Sequence, residues 1–186
     1  MSANTITPLH PLLAERWSPR GFDVDHAIDD ATVTGLLEAA RWAPSANNSQ
    51  PWRFLPTRRG EAAFDRLADA LSDNNRLWAP TASLLLLLAA ETEDERGRTR
   101  PWALYDTGQA AAALVLQAGH LGLHVHQMGG FDASAVSTTF ALPETVHPVT
   151  VLAVGRHDPA ATLPDHLAAR ETAPRTRLAM DTLILR

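Results

Sequence analysis

The stretch Arg16-Trp17-Ser18-Pro19-Arg20 carries two guanidinium groups four residues apart with a hydroxyl between them. Arginine offers planar, paired donors that match phosphate oxygens, so these groups can converge on one phosphate. Taken alone, so short a pattern better describes a solvated helix end. A second concentration of polar groups runs from Arg41 to Trp52, as Trp42-Ala43-Pro44-Ser45-Ala46-Asn47-Asn48-Ser49-Gln50-Pro51 between its ends. Its amides both donate and accept hydrogen bonds, which suits the edge of a heterocycle. Ser, Asn and Pro are also ordinary turn formers, so a plain capped loop has the same composition. The third is Met128-Gly129-Gly130-Phe131-Asp132, whose glycines admit a ligand close to the backbone and, alone, would also suit a simple turn.

Other residues raise weaker possibilities. His120, His124 and His126 suggest a metal, and His124 and His126 would share one strand face. No third ligand arrives at a convincing spacing, so no metal site is expected, and the imidazoles read as lining a pocket or the core. They could supply a proton to a reduced substrate. Arg96, Arg98 and Arg100 alternate in a charged stretch that reads as solvated surface, and Arg175 and Arg177 as surface or dimer contacts. No residue is singled out as a catalytic acid or base.

The elements that must position these groups follow from periodicity and punctuation. Leu9–Trp17 reads as a short helix. Asp29 or Asp30 caps a helix over about 31–42, stopped by Pro44. Trp52–Pro56 and Leu123–Met128 read as strands, Glu61–Leu71 and Ser134–Phe140 as helices. Ser83–Ala90 and Val149–Val154 read as strands buried on both faces. Asp106, with Gln109 three residues on, resembles a capping box before an alanine- and leucine-rich helix. That helix is apolar nearly all round, which suits deep burial against a second subunit. The tail from about 158 to 186 is rich in proline and arginine and long enough to wrap over a partner. Helices and strands intermix with few hairpin signals, giving an α+β class, a mixed sheet flanked by helices in one domain over residues 1–186.

The totals bound the function. A chain of 186 residues suits one core, and a net charge of −5 argues against a general nucleic-acid binder. With no cysteine, disulfides and thiol chemistry are excluded, so any redox work falls to a cofactor. The longest apolar run is too short to cross a membrane and the N-terminus has no signal-peptide pattern, so a cytoplasmic location is expected. No GxGxxG or GxxxxGK[ST] stretch is present, which disfavours a Rossmann or P-loop nucleotide site.

Taken together, the three polar segments resemble the nitroreductase family. The match continues through Asp106–Gly122, similar to the family's long central helix, and through Val151–Arg156, similar to its strand ending in glycine and a basic residue. The resemblance implies an α+β homodimer with FMN at the subunit interface, NAD(P)H as hydride donor and a small-molecule acceptor such as a nitroaromatic or quinone. It implies that Arg16, Trp17, Ser18 and Arg20, with Arg156, hold the phosphate and ribityl chain. Pro44, Ser45, Asn48 and Gln50 would meet the flavin ring from the partner subunit, and Met128, Gly129 and Gly130 would lie near N5.

This sequence departs from the pattern in places. Trp17 stands where many relatives carry a second arginine, so it either weakens the phosphate contacts or covers the cofactor. Gly129 stands where some have an acidic residue. The chain is also short, so insertions that cover the acceptor site in longer members are expected to be missing. Two alternatives remain beside the reductase: a flavin-dependent dehydrogenase or oxidase of a small natural product, and a non-catalytic FMN-binding module.

Overall fold

The computed structural model describes residues 5–185, so Met1–Asn4 and Arg186, part of the expected single domain, lie outside the described residues. The first helix, α1 (Pro11–Ala14), is shorter than the expected Leu9–Trp17. Pro11 fixes its start, and the following arginine–serine–arginine stretch is drawn onto the sheet instead. Helix α2 spans Asp30–Arg41, with the Asp29 carboxylate accepting from the Thr32 N–H at 2.8 Å, as the capping pattern predicts. A 3₁₀ turn at Ala46–Asn48 leads into strand β1 (Trp52–Arg58), then helices α3 (Ala62–Asp69) and α4 (Asp73–Arg76), and strand β2 (Leu84–Glu91). The long helix α5 (Ala103–His120) is followed by β3 (His124–Met128), α6 (Ala133–Thr139) and β4 (Val146–Gly155). Helices α7 (Asp165–Thr172) and α8 (Met180–Leu183) occupy the tail.

The four strands lie in the order β1-β2-β4-β3, and every adjacent pair is antiparallel. The expected mixed sheet is corrected here. The connection through α5 does join two strands of the same direction, β2 and β3, but β4 inserts between them. No parallel pair therefore forms among the described residues.

The leucine run in β2 explains the layering. Leu84, Leu86 and Leu88 pack with α2 and α5 through Val33, Leu36, Ala110 and Leu114. Leu85 and Leu87 point the other way, into a second cluster with Phe64, Leu67, Trp78 and Leu167. Alternate side chains of a strand leave opposite faces, so an unbroken run of one apolar type feeds two cores at once.

One expectation about α5 is revised. The helix begins at Ala103, three residues before Asp106, so Asp106 is not its N-cap. Its carboxylate is instead buried, and Gln109 donates to the Tyr105 hydroxyl at 3.1 Å rather than closing a capping box. Within one chain the helix is buried on one side only. Ala110, Ala111, Leu114, Val115 and Ala118 face the core, while Leu104, Tyr105, Gly108 and Ala112 form an exposed face.

Candidate functional site

The candidate residues gather in two places. The first is built around the edge of the sheet at β3 and β4. Gly21–Asp23 pairs antiparallel with Arg156–Asp158 through the Phe22–His157 bridge, the Asp23 N–H donating to the Arg156 carbonyl at 2.9 Å. His126 Nδ1 lies 2.9 Å from the Pro19 carbonyl and holds the Ser18–Arg20 turn against β3. The bridge brings Arg156 to the edge that carries the Arg16–Arg20 stretch, although it stands more than 130 residues from Arg20 in sequence; Arg16 and Trp17 line one cavity and Arg156 a neighbouring one that shares Gly122 and Leu123. The Arg16 guanidinium donates to Ser18 Oγ at 3.3 Å. Trp17 packs edge-on against His157 and His124, with ring centroids 5.0 and 6.1 Å away. A cavity of about 220 Å³ opens between Arg16, Trp17, His124 and the end of α5 at Gly119 and Gly122.

The electrostatics of this region favour an anion. Burial, followed by repulsion from Arg175 and Arg177, pulls the Arg16 pKa below the usual guanidinium value. Burial does the same to Arg20, opposed in part by Glu171. A phosphate beside Arg16 would relieve the first arrangement. Arg156 is exposed and pairs only loosely with Asp23, at 3.9 Å, leaving its head available. Arg20 is more committed, with its side chain 3.8 Å from the Glu171 carboxylate.

The glycine pair divides. A Cβ on Gly129 would meet nothing within 4 Å, so its surface is open to a ligand. A Cβ on Gly130 would lie 2.8 Å from Ser72 Oγ and 3.0 Å from Asn75 Nδ2, so the start of α4 crowds this position. The Met128 side chain is buried in the second core and does not reach this surface. Only its backbone, whose carbonyl accepts from the Thr150 hydroxyl at 3.0 Å, is placed near Gly129.

The second gathering is the loop Pro44–Gln50. The Asp106 carboxylate accepts from the Ala46 N–H, and Ser45 Oγ accepts from the Gln50 N–H at 3.1 Å. Asn47, Asn48 and Gln50 sit in the left-handed region at φ of 52°, 55° and 45°. Such backbone costs free energy for a residue with a Cβ and persists only where surroundings enforce it. The Asn48 and Gln50 side chains are exposed, and a cavity of about 250 Å³ lies between Pro44, Ser45, Trp102, Tyr105 and Gln109. A larger one, about 530 Å³, adjoins it beyond Trp102, beside Asn47, Ser49, Arg98 and Arg100. Arg98, ion-paired with Asp94, is exposed as expected, whereas Arg100, paired with Glu91, is partly buried and departs from its reading as solvated surface.

These residues fit a ligand with an anionic end and a flat heterocyclic end. The first region supplies cations, the second exposed amides. Within one chain, however, they sit at opposite ends of α5. From Asp106 to Gly119 the helix advances about 20 Å at 1.5 Å per residue.

The histidines separate as well. His120 is exposed at the end of α5, away from the other two. His124 has a buried Nδ1 with no hydrogen-bond partner, and burial lowers its pKa. Among the described residues no group of three side chains could hold a metal ion. Sequence reasoning missed His157 and Glu171, and gave Asp106 and Arg175 other roles, as a helix cap and as a surface or dimer contact. Each acts across a long sequence separation, and no local spacing announces it.

A family model described as Nitroreductase family matches residues 13–77 and 72–156. The chain belongs to the nitroreductase family of oxidoreductases. It is 36% identical over 137 residues to an uncharacterized 15.4 kDa protein of Mycolicibacterium smegmatis, covering 69% of this chain and 91% of that one. It is 29% identical over 151 residues to a Streptomyces coelicolor protein provisionally named NADH dehydrogenase/NAD(P)H nitroreductase, covering 70% of this chain and 74% of that protein. Among solved structures, an oxidoreductase described as containing FMN superposes with a TM-score of 0.92 at 31% identity, covering 98% of this chain and 93% of the other. A Desulfovibrio desulfuricans nitroreductase-type protein solved with FMN superposes at 0.77 and 24% identity, covering 98% of both chains, which speaks for the fold. The nitroreductase-like α+β fold thus stands, with an antiparallel sheet.

Proposed function

We propose that this nitroreductase-family chain is an FMN-dependent NAD(P)H oxidoreductase working as a homodimer. One observation carries the reading. The cationic residues and the amide loop suit opposite ends of one ligand, yet stand at opposite ends of α5. Two copies packed head to tail along that helix would bring the Arg16 end of one against the Gln50 end of the other. The exposed face offers the large side chains of Leu104 and Tyr105 for burial, and Gly108 and Ala112 are small enough for such an approach.

In this arrangement Arg16, Ser18 and Arg156 bind the phosphate, and Arg20 holds the turn that carries Ser18. Trp17 covers the cavity wall beside the ribityl chain rather than donating to it. Ser45, Asn48 and Gln50 of the partner orient the heterocycle, with Pro44 stiffening the entry to that loop. Gly129 leaves room beside the ring, with the Met128 and Gly130 backbone behind it. Bound there, FMN supplies hydride transfer at N5 from NAD(P)H to an electron-poor acceptor such as a nitroaromatic or quinone. The chain's own part is binding, orientation and exclusion of water. A nicotinamide donor supports a cytoplasmic location.

The test is a visible absorption spectrum of the purified protein before and after NADPH is added without oxygen. Flavin bands that bleach support the reading. Bands that persist point to a dehydrogenase, an oxidase or a binding module. Absence of flavin after incubation with FMN would overturn it.

A further inference from the structure

The segment after the sheet returns to the stretch proposed to hold the phosphate and grips it at both ends. The Glu171 carboxylate accepts hydrogen bonds from the Arg20 N–H, at 2.9 Å to each oxygen, and from the Gly21 N–H at 3.2 Å. The same carboxylate lies 3.8 Å from the Arg20 guanidinium and 3.7 Å from His157 Nε2. Four residues on, Arg175 donates to the Ala14 and Arg16 carbonyls, both at 2.7 Å. Leu167, on α7, is 1% exposed in the second core and anchors the helix from which Glu171 projects. The fit is close: a Cβ on Gly21 would lie 2.8 Å from the Asp158 carbonyl and 2.9 Å from Ala161 Cβ. Both gripping residues lie beyond residue 156, where the family match ends.

We propose that Asp165–Arg175 is a clasp on the cofactor site, with Glu171 and Arg175 as positioning residues that set the Arg16–Arg20 stretch for the flavin phosphate. The inference rests on the FMN reading above. Backbone N–H groups and a guanidinium that converge on one fixed carboxylate lose their freedom, so Ser18 and Arg16 between the two grips are held in one arrangement. Preorganised donors spend less of their binding free energy on ordering when the phosphate arrives. The tail therefore acts on the phosphate end of the ligand and not on its ring, which is met by the separate loop at Pro44–Gln50.

The test uses the full-length protein, purified with its flavin and exchanged between FMN and riboflavin, which lacks the phosphate. Dissociation constants of both flavins are read by fluorescence for wild type, Glu171→Gln and Arg175→Gln. The expected result is FMN binding weakened about tenfold in each variant, with riboflavin changed less than twofold. Equal weakening of both flavins would mean a general structural support and overturn the clasp, as would no change in either. Should Glu171→Gln fail to fold, Arg175→Gln tests the same expectation from the other grip. Wild-type protein that binds neither flavin overturns the FMN reading and the clasp together. Wild type that binds FMN beside unaffected variants overturns the clasp alone.

Discussion

The buried carboxylate of Asp106, in the first turn of α5, accepts a hydrogen bond from the Ala46 N–H at 3.0 Å, across a sequence separation of sixty residues. It ties the amide loop to the longest helix at the point where three residues adopt left-handed backbone. The positive end of the helix favours a negative charge there, so the carboxylate suits its place twice over.

Replacing Asp106 with alanine removes that acceptor and leaves the Ala46 N–H to find another. A hydrogen bond to a charged group contributes about 1.5–3 kcal/mol, so the expected loss of folding stability is of that order. Asp106→Asn, which keeps an oxygen in place, should lose less. Urea unfolding of the three proteins checks the order, and flavin retention should follow the same ranking because the loop is proposed to meet the ring.

Gly129 and Gly130 should respond differently to alanine. At Gly130 the new Cβ would meet Ser72 Oγ at 2.8 Å and Asn75 Nδ2 at 3.0 Å, the ends of two side chains that must turn aside, so the loss should be about 0.5–1.5 kcal/mol, that of the Asn75 hydrogen bond to the Gly130 carbonyl. At Gly129 it meets nothing within the chain. Gly129→Ala should therefore leave the thermal midpoint close to that of wild type while weakening flavin binding. A Gly129→Ala protein with unchanged flavin affinity would remove this glycine from the site.

Acid should destabilise the fold through its histidines. Burial lowers the pKa of His126 and of His124 below the ordinary value. The unfolded chain then takes up protons first as pH falls. The stabilisation is complete above the unfolded pKa, about 6.5, and is lost as pH drops below it toward the lower folded value. Thermal midpoints between pH 8 and pH 5 should fall for wild type and fall less for His126→Gln. Equal slopes in the two proteins would show that His126 does not contribute.

The exposed face of α5 should govern assembly. Ala112→Arg places a charge on that face without touching either core, and it should yield a monomer by sedimentation. If the site needs two copies, the monomer should also lose FMN. A monomeric variant that keeps its flavin would place both ends of the ligand within one chain.

Much of this molecule was legible in its sequence for local reasons. The leucine run of β2, the Asp29 cap of α2 and the apolar period of α3 each require only neighbouring residues. So do the three polar segments and their resemblance to the nitroreductase family. The polar segments read locally as turns or helix ends, and their order along the chain distinguished them. Where the sequence misled, a distant partner was responsible. Asp106 reads as a cap because it precedes a helical period, yet its burial depends on a loop sixty residues earlier. The sheet reads as mixed because helices and strands intermix with few hairpin signals, yet β4 comes from later in the chain to pair antiparallel with both β2 and β3.

By itself the sequence determined the element types, the family and the kinds of group available for a phosphate and a heterocycle, because propensity, spacing and chemistry belong to short segments. Only the tertiary structure decided which of those groups meet. It brought Arg156 to the Arg16–Arg20 stretch by an antiparallel bridge, gave Gly130 to packing and Gly129 to open surface, and set the amide loop at the far end of α5. It also placed Glu171 under the Arg20–Gly21 backbone, a contact across about 150 residues. Such contacts form only when separate elements pack against a common core, and no local pattern encodes where those elements will meet.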